Sequence, residues 1–322
     1  MKKILAFVGP TASGKTELSV EISKKFNGEI ISCDSMQLYR GMNIGTAKPD
    51  EAEKRGIVHH MIDILDINDA FSVSDYVEMA NRIYDDIVSR GKLAVFCGGT
   101  GLYIDSFISD VDFGDYEINP DVSKQLLCDL ESCGAEALYD RLLSVDPTAA
   151  QKTCFQNVKR VMRALEVYYS TGITISEWNK RSLENSHHKD SLIIGLDYKD
   201  RNTLYDRIEM RVDSMIKAGL LEETERLIKS GLRNSPTAGQ AIGYKEFYPY
   251  FDGQATLEEC IETLKKNTRH YAKRQLTWFR RNPLVKWIYR DCMSQEEIFS
   301  LAQEMVNKYL SKEDTQHNEL DV

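Results

Sequence analysis

The sequence lacks the long apolar runs and paired cysteines that would place the chain in a membrane or outside the cell. None of its apolar stretches approaches the roughly 18 residues of a membrane-spanning helix. Its 7 cysteines are an odd number and include no Cys-x-x-Cys pair, which disfavours a secreted disulfide scaffold and a structural zinc site. Residues 1–8 (MKKILAFV) are too short for a signal peptide and run directly into a glycine loop. We therefore expect a cytoplasmic protein with no membrane partner.

Basic residues are also fewer than acidic ones, except in one segment of the chain. The 322 residues include 41 Lys and Arg against 50 Asp and Glu, a formal net charge of -9, which by itself argues against a nucleic-acid partner. Between residues 265 and 290, however, nine basic residues occur without a single Asp or Glu. An acidic protein with one concentrated basic segment is expected to direct it at a polyanion. The alternative is a solvated helix face whose aromatic residues belong to the core.

Short apolar runs alternate with helical patterns in the first hundred residues. Residues 4–8, 29–33 and 93–97 have the character of buried strands, and residues 15–26 and 73–90 that of the helices between them. This alternation predicts an α/β fold with a parallel sheet.

The pattern changes near residue 115. Residues 120–182 have only helical periodicity, most clearly at 121–133, 135–145 and 157–170. We therefore predict that residues 115–187 form an inserted all-α domain.

Sheet character resumes after this insertion. Residues 191–198 and 284–289 again have strand patterns, with helical segments such as 257–281 between them. We therefore predict a P-loop-type parallel sheet core flanked by helices, formed by residues 1–114 and 188–322.

The segment GPTASGKT matches the phosphate-loop pattern G-x-x-x-x-G-K-[ST] and lies between a predicted strand and a predicted helix. Backbone N–H groups of such a loop converge on phosphate oxygens, and the helix N-terminus adds its positive end. Lys15 would neutralise charge, and the Thr16 hydroxyl would bind Mg²⁺. The pattern does not decide between a nucleotide and another diphosphate. The predicted diphosphate-binding residues are Gly9, Pro10, Thr11, Ala12, Ser13, Gly14, Lys15 and Thr16.

Two further loops are expected at the same edge of the sheet. Ligands of open parallel sheets bind outside the carboxyl ends of the strands, so Asp34, directly after the second strand, should face the phosphate site. Its carboxylate has three interpretations, which the spacing leaves open: a cap of a turn, a ligand of Mg²⁺ through water, or a base that acts on an incoming nucleophile. The Gly-rich turn at 98–101 follows the third strand.

Arg207 and Arg211 lie four residues apart and share one face of a predicted helix. Pairing with Glu on a solvated face is one interpretation. The other is that an arginine points into the pocket and offers positive charge to a departing diphosphate.

Eight motifs stand in order between about residues 4 and 290: GPTASGKT, DSMQLY, GMNIGTAKP, GGTGLYI, RALEVYYSTG, LYDRIEMR, QAIGYKE and TRHYAKRQLTWFR. Together they resemble those of the tRNA dimethylallyltransferase family, also called tRNA isopentenyltransferases. The resemblance implies transfer of a dimethylallyl group from dimethylallyl diphosphate to N6 of the adenosine immediately 3′ of the anticodon, in tRNAs reading codons that begin with U. It also implies Mg²⁺, a helical insertion that grips the anticodon stem-loop, and a base flipped into a channel.

The resemblance assigns roles to individual positions. Asp34 matches the catalytic aspartate of the family and Arg211 its catalytic arginine. Lys15 and Thr16 match positions that hold the donor diphosphate and Mg²⁺. The predicted tRNA-binding residues, which include two cations of the basic segment, are Asp34, Ser35, Met36, Gln37, Thr100, Gln156, Asn157, Val158, Lys159, Arg160, Gln240, Lys273 and Arg280.

The sequence thus favours a magnesium-dependent, monomeric tRNA prenyltransferase over two alternatives. One is a P-loop kinase that uses ATP on a small molecule. The other is a noncatalytic RNA-binding protein with a relic phosphate loop. Only the prenyltransferase would transfer label from dimethylallyl diphosphate to RNA.

Overall fold

A computed structural model of the protein describes residues 3–110, 118–184 and 188–313. The chain forms two compact units, Met1–Ile108 with Lys189–Val322, and Ser109–His188. The domain boundaries predicted from the sequence, at residues 115 and 187, fall in segments outside the described residues. The second unit begins a few residues earlier than the predicted insertion.

The first unit is built on a six-stranded sheet in which every neighbouring pair of strands is parallel. The strand order is β3-β2-β4-β1-β5-β6. The predicted α/β fold with a parallel sheet is therefore confirmed. The one strand that the sequence pattern missed is β3, which has only two residues. The strands are β1 (Ile4–Val8), β2 (Gly28–Ser32), β3 (His59–His60), β4 (Leu93–Gly98), β5 (Ser191–Asp197) and β6 (Val285–Tyr289).

Thirteen α-helices occur in the described part of the chain. None of them is both long and apolar enough to cross a membrane. They are α1 (Lys15–Lys25), α2 (Glu51–Lys54), α3 (Val73–Ser89), α4 (Gly101–Ile108), α5 (Pro120–Val145), α6 (Pro147–Gln151), α7 (Val158–Thr171), α8 (Ile175–Glu184), α9 (Arg201–Lys217), α10 (Leu220–Lys229), α11 (Tyr248–Phe251), α12 (Leu257–Phe279) and α13 (Gln295–Leu310).

The sheet is buried because helices cover it. Every residue of β1 and β2 is buried. Burial on both faces explains why β1 appears in the sequence as a continuous apolar run. Leu5 and Phe7 pack in one cluster with residues of α1 and α13, including Ile22 and Val306. The carboxyl ends of the strands are left for loops.

Local sequence signals set where several helices begin. In α3 and α12, Ser72 and Thr256 accept a hydrogen bond from the N–H three residues later. The carboxylates of Asp75 and Glu259 in turn accept the N–H of the cap residue, which completes a capping box. These reciprocal bonds satisfy N–H groups that the first turn of a helix leaves without partners.

The second unit is entirely helical in its described residues and contains α5 to α8. The backbone of α5 is broken at Gly134, whose φ of 81° and ψ of 173° are not helical. The helices predicted at 121–133 and 135–145 meet at this break. Leu126, Leu138, Leu142 and Leu165 form the buried core of the unit.

Candidate active site

The loop between β1 and α1 has a backbone that its glycines make possible. Gly9 has a φ of 143°, and a Cβ atom there would lie 2.3 Å from the carbonyl oxygen of Leu196. Gly14, at the start of α1, has a φ of 79°, and a Cβ would overlap the guanidinium of Arg290. Arg290 also donates a hydrogen bond to the carbonyl of Ser13 at 3.2 Å. Neighbouring chain segments therefore shape the phosphate loop.

A cavity of about 330 Å³ lies at the carboxyl ends of β1, β2 and β4. Thr11, Lys15 and Thr16 of the phosphate loop line it, together with Asp34 and Arg211. Residues that are far apart in the sequence and were predicted to carry the chemistry thus share one space. Four predicted tRNA-binding residues also line the cavity, namely Ser35, Met36, Gln37 and Gln240.

Two of the cations that line this cavity, Lys15 and Arg211, are half-buried. Burial lowers the pKa of Lys15, and the nearby charge of Arg211 lowers it further, whereas the carboxylate of Asp34 opposes the change. Burial also lowers the pKa of Arg211, although a guanidinium stays charged at physiological pH. Within the described residues neither side chain forms a salt bridge. Lys15 donates to the Pro10 carbonyl at 3.1 Å, and Arg211 contacts the Thr11 hydroxyl at 3.4 Å. The cavity is therefore suited to an anionic ligand.

The segment after β2 holds Asp34 in a defined orientation. The N–H of Met36 donates to Oδ1 of Asp34 at 2.9 Å. The N–H of Ser35 donates to the hydroxyl of Thr100 at 3.2 Å, which joins this segment to the Gly-rich turn after β4. Thr100 thus supports the segment that carries the acidic side chain.

Two predicted cations of the basic segment have different surroundings. Lys273 is exposed on α12 and borders a surface pocket with Arg274, Trp278 and Arg281. Arg280 instead forms a salt bridge of 3.0 Å with the fully buried Asp197.

Other cations of the same segment are also paired. Lys265 lies 2.8 Å from a carboxylate oxygen of Asp213, and Arg269 forms a salt bridge with Glu209. The basic surface is therefore smaller than the sequence pattern suggests and is centred on Lys273.

The remaining predicted tRNA-binding residues belong to the second unit. They lie around the start of α7, where the side chains of Gln156, Asn157, Lys159 and Arg160 are exposed and Val158 is half-buried. Exposed basic residues at a helix start are available to a polyanion.

Sequence reasoning missed several residues that build the site. Gln275 is buried and lines the cavity, where its side-chain oxygen accepts the N–H of Thr11 at 2.8 Å. Tyr271 lines the cavity one helical turn earlier, and burial raises its pKa. Both lie on the inward face of α12, the basic helix, which carries the first part of the basic segment. The only signal for them was the spacing of four residues within TRHYAKRQLTWFR.

The chain is similar to proteins of known activity over most of its length. A family model described as IPP transferase matches residues 37–282. The tRNA dimethylallyltransferase of Caldanaerobacter subterraneus is 46% identical over 290 residues, which cover 90% of this chain and 92% of that protein. The tRNA dimethylallyltransferase of Acetivibrio thermocellus is 46% identical over 297 residues, covering 92% and 95%.

Solved structures agree with these similarities. The full-length tRNA isopentenylpyrophosphate transferase of Bacillus halodurans has a TM-score of 0.74 and 41% identity, covering 99% of this chain and 100% of that chain. A eukaryotic dimethylallyltransferase acting on tRNA has a TM-score of 0.79 and 29% identity, covering 96% and 80%. The parallel-sheet fold, the cavity beside the phosphate loop and these similarities together show that the chain belongs to the tRNA dimethylallyltransferase family.

Proposed function

We propose that this protein transfers a dimethylallyl group from dimethylallyl diphosphate to N6 of the adenosine immediately 3′ of the anticodon, in tRNAs reading codons that begin with U. The products are N6-dimethylallyladenosine and diphosphate. The observation that carries the proposal is the placement of two poorly solvated cations, Lys15 and Arg211, in one cavity with the carboxylate of Asp34. Family membership supports it and does not favour the kinase alternative.

Lys15 and Arg211 act on the prenyl donor, dimethylallyl diphosphate. Its allylic C–O bond breaks with the electron pair going to the diphosphate, so negative charge grows on the departing oxygens. Lys15 and Arg211 line the cavity and would stabilise that charge, together with backbone N–H groups of the loop. Fixed donors of this kind, aimed at charge that develops in the transition state, are usually the largest contribution to catalysis.

The carboxylate of Asp34 acts on the acceptor, the N6 amine of adenine. The N6 amine of adenine is a poor nucleophile because its lone pair is delocalised into the ring. As this lone pair forms the new C–N bond, Asp34 accepts the N6 proton, which raises the electron density of the amine. The hydrogen bond from the N–H of Met36 orients the carboxylate for this task.

The RNA partner is the anticodon stem-loop. A base in a single-stranded loop is unpaired, so its extrusion into a cavity costs only a few kcal/mol. The exposed cation Lys273 on α12 and, in the second unit, Lys159 and Arg160 at the start of α7 provide phosphate contacts.

The oxygen ligands available at the cavity also fit Mg²⁺. This ion keeps several waters and is commonly held by one or two protein oxygens together with substrate phosphates. The Thr16 hydroxyl lines the cavity beside Lys15. No group of three or more His, Cys, Asp or Glu side chains that could hold a metal occurs among the described residues, so the phosphates are needed as ligands. Thr16 would hold the ion, which supplies positive charge to the diphosphate.

One mixture separates the three hypotheses. Purified protein, Mg²⁺, radiolabelled dimethylallyl diphosphate and unmodified tRNA are expected to give label on the RNA at that adenosine, and a chelator should abolish the transfer. ATP turnover without tRNA, together with unlabelled RNA, would instead indicate a kinase. Tight RNA binding with no label transferred would indicate a noncatalytic binding protein.

A further inference from the structure

A buried carboxylate holds one wall of the cavity without lining it. Glu223, on α10, is 4% exposed. Its Oε1 atom accepts hydrogen bonds from three consecutive backbone N–H groups, those of Asn43 at 3.2 Å, Ile44 at 2.8 Å and Gly45 at 3.2 Å. Successive N–H groups that converge in this way form an anion-binding concavity of the kind that phosphate loops use. Here a side chain of the protein itself is the anion.

Tyr244 completes the arrangement. Its hydroxyl donates to the same Oε1 atom at 2.7 Å, and its side chain is fully buried. The ring lies so close to Gly45 that a Cβ atom there would be 2.5 Å from a ring carbon. Residues 43–45 are therefore fixed between the carboxylate and the tyrosine ring.

The held segment is a wall of the cavity on the side of Asp34. Gly45, Thr46 and Ala47 line the cavity. The side-chain amide of Gln37 donates to the carbonyls of Thr46 and Ala47, each at 3.3 Å. Gln37 lies three residues after Asp34, so these hydrogen bonds join the wall to the segment that carries the residue assigned to the acceptor amine.

We propose that Glu223 is a positioning residue that sets the wall formed by residues 43–47 against the acceptor base. This inference rests on the function proposed above. Glu223 does not line the cavity, so it acts through the backbone that it holds. Its removal leaves three N–H groups and a tyrosine hydroxyl without their acceptor, and the wall must shift to find others.

The test compares Glu223→Ala, Glu223→Gln and Tyr244→Phe with Glu29→Gln. Glu29 is the matched control because it is another buried, paired glutamate, 3% exposed, that lies at the amino end of β2 and does not line the cavity. We expect Glu223→Ala to lower kcat/KM for the RNA by about tenfold or more, with the KM of the donor changed by less than about twofold. Glu223→Gln retains an acceptor oxygen and should recover part of the loss. Tyr244→Phe should cost less, and Glu29→Gln should lower stability alone.

Amide hydrogen exchange gives a readout that does not depend on activity. The N–H groups of residues 43–45 should exchange faster in Glu223→Ala than in wild type, and Glu29→Gln should leave their exchange unchanged. If Glu223→Ala does not fold, Glu223→Gln decides by the same measurements.

Three outcomes would overturn the positioning role: an unchanged kcat/KM for RNA, a donor KM that rises in proportion, or unchanged exchange at residues 43–45. Failure of the wild-type protein to label tRNA would overturn the proposed function instead, and exchange would still report whether Glu223 holds the segment.

Discussion

The side-chain oxygen of Gln275 accepts a hydrogen bond from the backbone N–H of Thr11 at 2.8 Å, across 264 residues of sequence. The amide nitrogen of Gln275 donates to the carbonyl of Gly99 at 3.1 Å. One buried side chain on the basic helix α12 therefore joins the phosphate loop to the loop after β4. The helix that carries Lys273 on its exposed face is in this way joined to the cavity on its inner face.

Replacing Gln275 by Leu should weaken donor binding. The N–H of Thr11 and the carbonyl of Gly99 lose their partners, at a cost of about 1 to 3 kcal/mol for a buried group, and the phosphate loop relaxes. We expect the donor KM to rise about tenfold and the thermal midpoint to fall. Steady-state kinetics at varied donor concentration check this, with Lys273→Ala on the same helix as the control. An unchanged donor KM would show that the bridge does not shape the donor site.

Replacing Asp34 by Asn should separate catalysis from binding. The side chain keeps an oxygen for the N–H of Met36 but no longer accepts a proton from the acceptor amine. The expected loss of kcat is about a hundredfold to ten-thousandfold, the range of general-base catalysis. Single-turnover label transfer and filter binding of tRNA measure the two properties, and binding should be largely retained. Turnover at the wild-type rate would refute the assignment of the base.

Arg211 and Arg207 form a matched pair one helical turn apart. Arg211 lines the cavity, whereas Arg207 donates to the carbonyl of Ala12 at 3.3 Å and borders a different pocket. Arg211→Ala should lower kcat by about a hundredfold to a thousandfold because it removes charge next to the leaving group. Arg207→Ala should cost less than about tenfold. Equal losses in the two variants would mean that Arg211 supports the loop and does not act on the diphosphate.

The basic helix offers a second matched pair. Lys273→Ala should weaken tRNA binding and reduce the salt slope of the binding constant by about 1, since one phosphate contact is lost. Arg280→Ala should mainly lower stability, because the buried Asp197 would keep only Arg201 as a partner. Binding isotherms at several salt concentrations, with thermal unfolding, distinguish these effects. An unchanged slope in Lys273→Ala would remove that residue from the RNA interface.

The lowered pKa of Glu29 predicts how the stability of the protein depends on pH. Hydrogen bonds from Arg90, aided by Lys92 and His60, hold the pKa of this buried carboxyl well below its usual range, although burial opposes the shift. Its stabilisation is therefore complete above the unfolded-state pKa of about 4.3 and is lost as the pH falls toward the folded-state pKa. Wild type should be more stable than Glu29→Gln by about 1 to 3 kcal/mol at neutral pH.

Chemical denaturation of wild type and Glu29→Gln between neutral and acidic pH measures this difference in the free energy of unfolding. The difference should shrink steadily below about pH 4. A difference that does not vary with pH would indicate that packing, and not charge, accounts for the stability.

Sequence patterns predicted the parts of the fold that depend on neighbouring residues. Strand β1 and helix α1 are confirmed because a buried apolar run and a phosphate-loop motif are both contiguous signals. The two residues of β3 carry no detectable period, so that strand could not be predicted.

Contacts between residues far apart in the chain could not be predicted from the sequence. Gln275, Glu223 and Arg290 shape the site through backbone partners from 176 to 277 residues away, and nothing local to them indicates a cavity. The pairing of Arg280 with Asp197 was hidden for the same reason, since an unbroken basic segment does not reveal which of its charges meet a carboxylate from another element. Asp34 was found because the carboxyl ends of parallel strands meet at one edge of the sheet.

Gly9 lies against the Leu196 carbonyl, so the outline of the phosphate loop follows from the pairing of β1 with β5. The conformational entropy of that backbone is lost when the sheet forms, and an incoming donor does not have to order it again. A substitution in β5 that displaces this carbonyl would thus weaken binding of the prenyl donor, although Leu196 does not line the cavity.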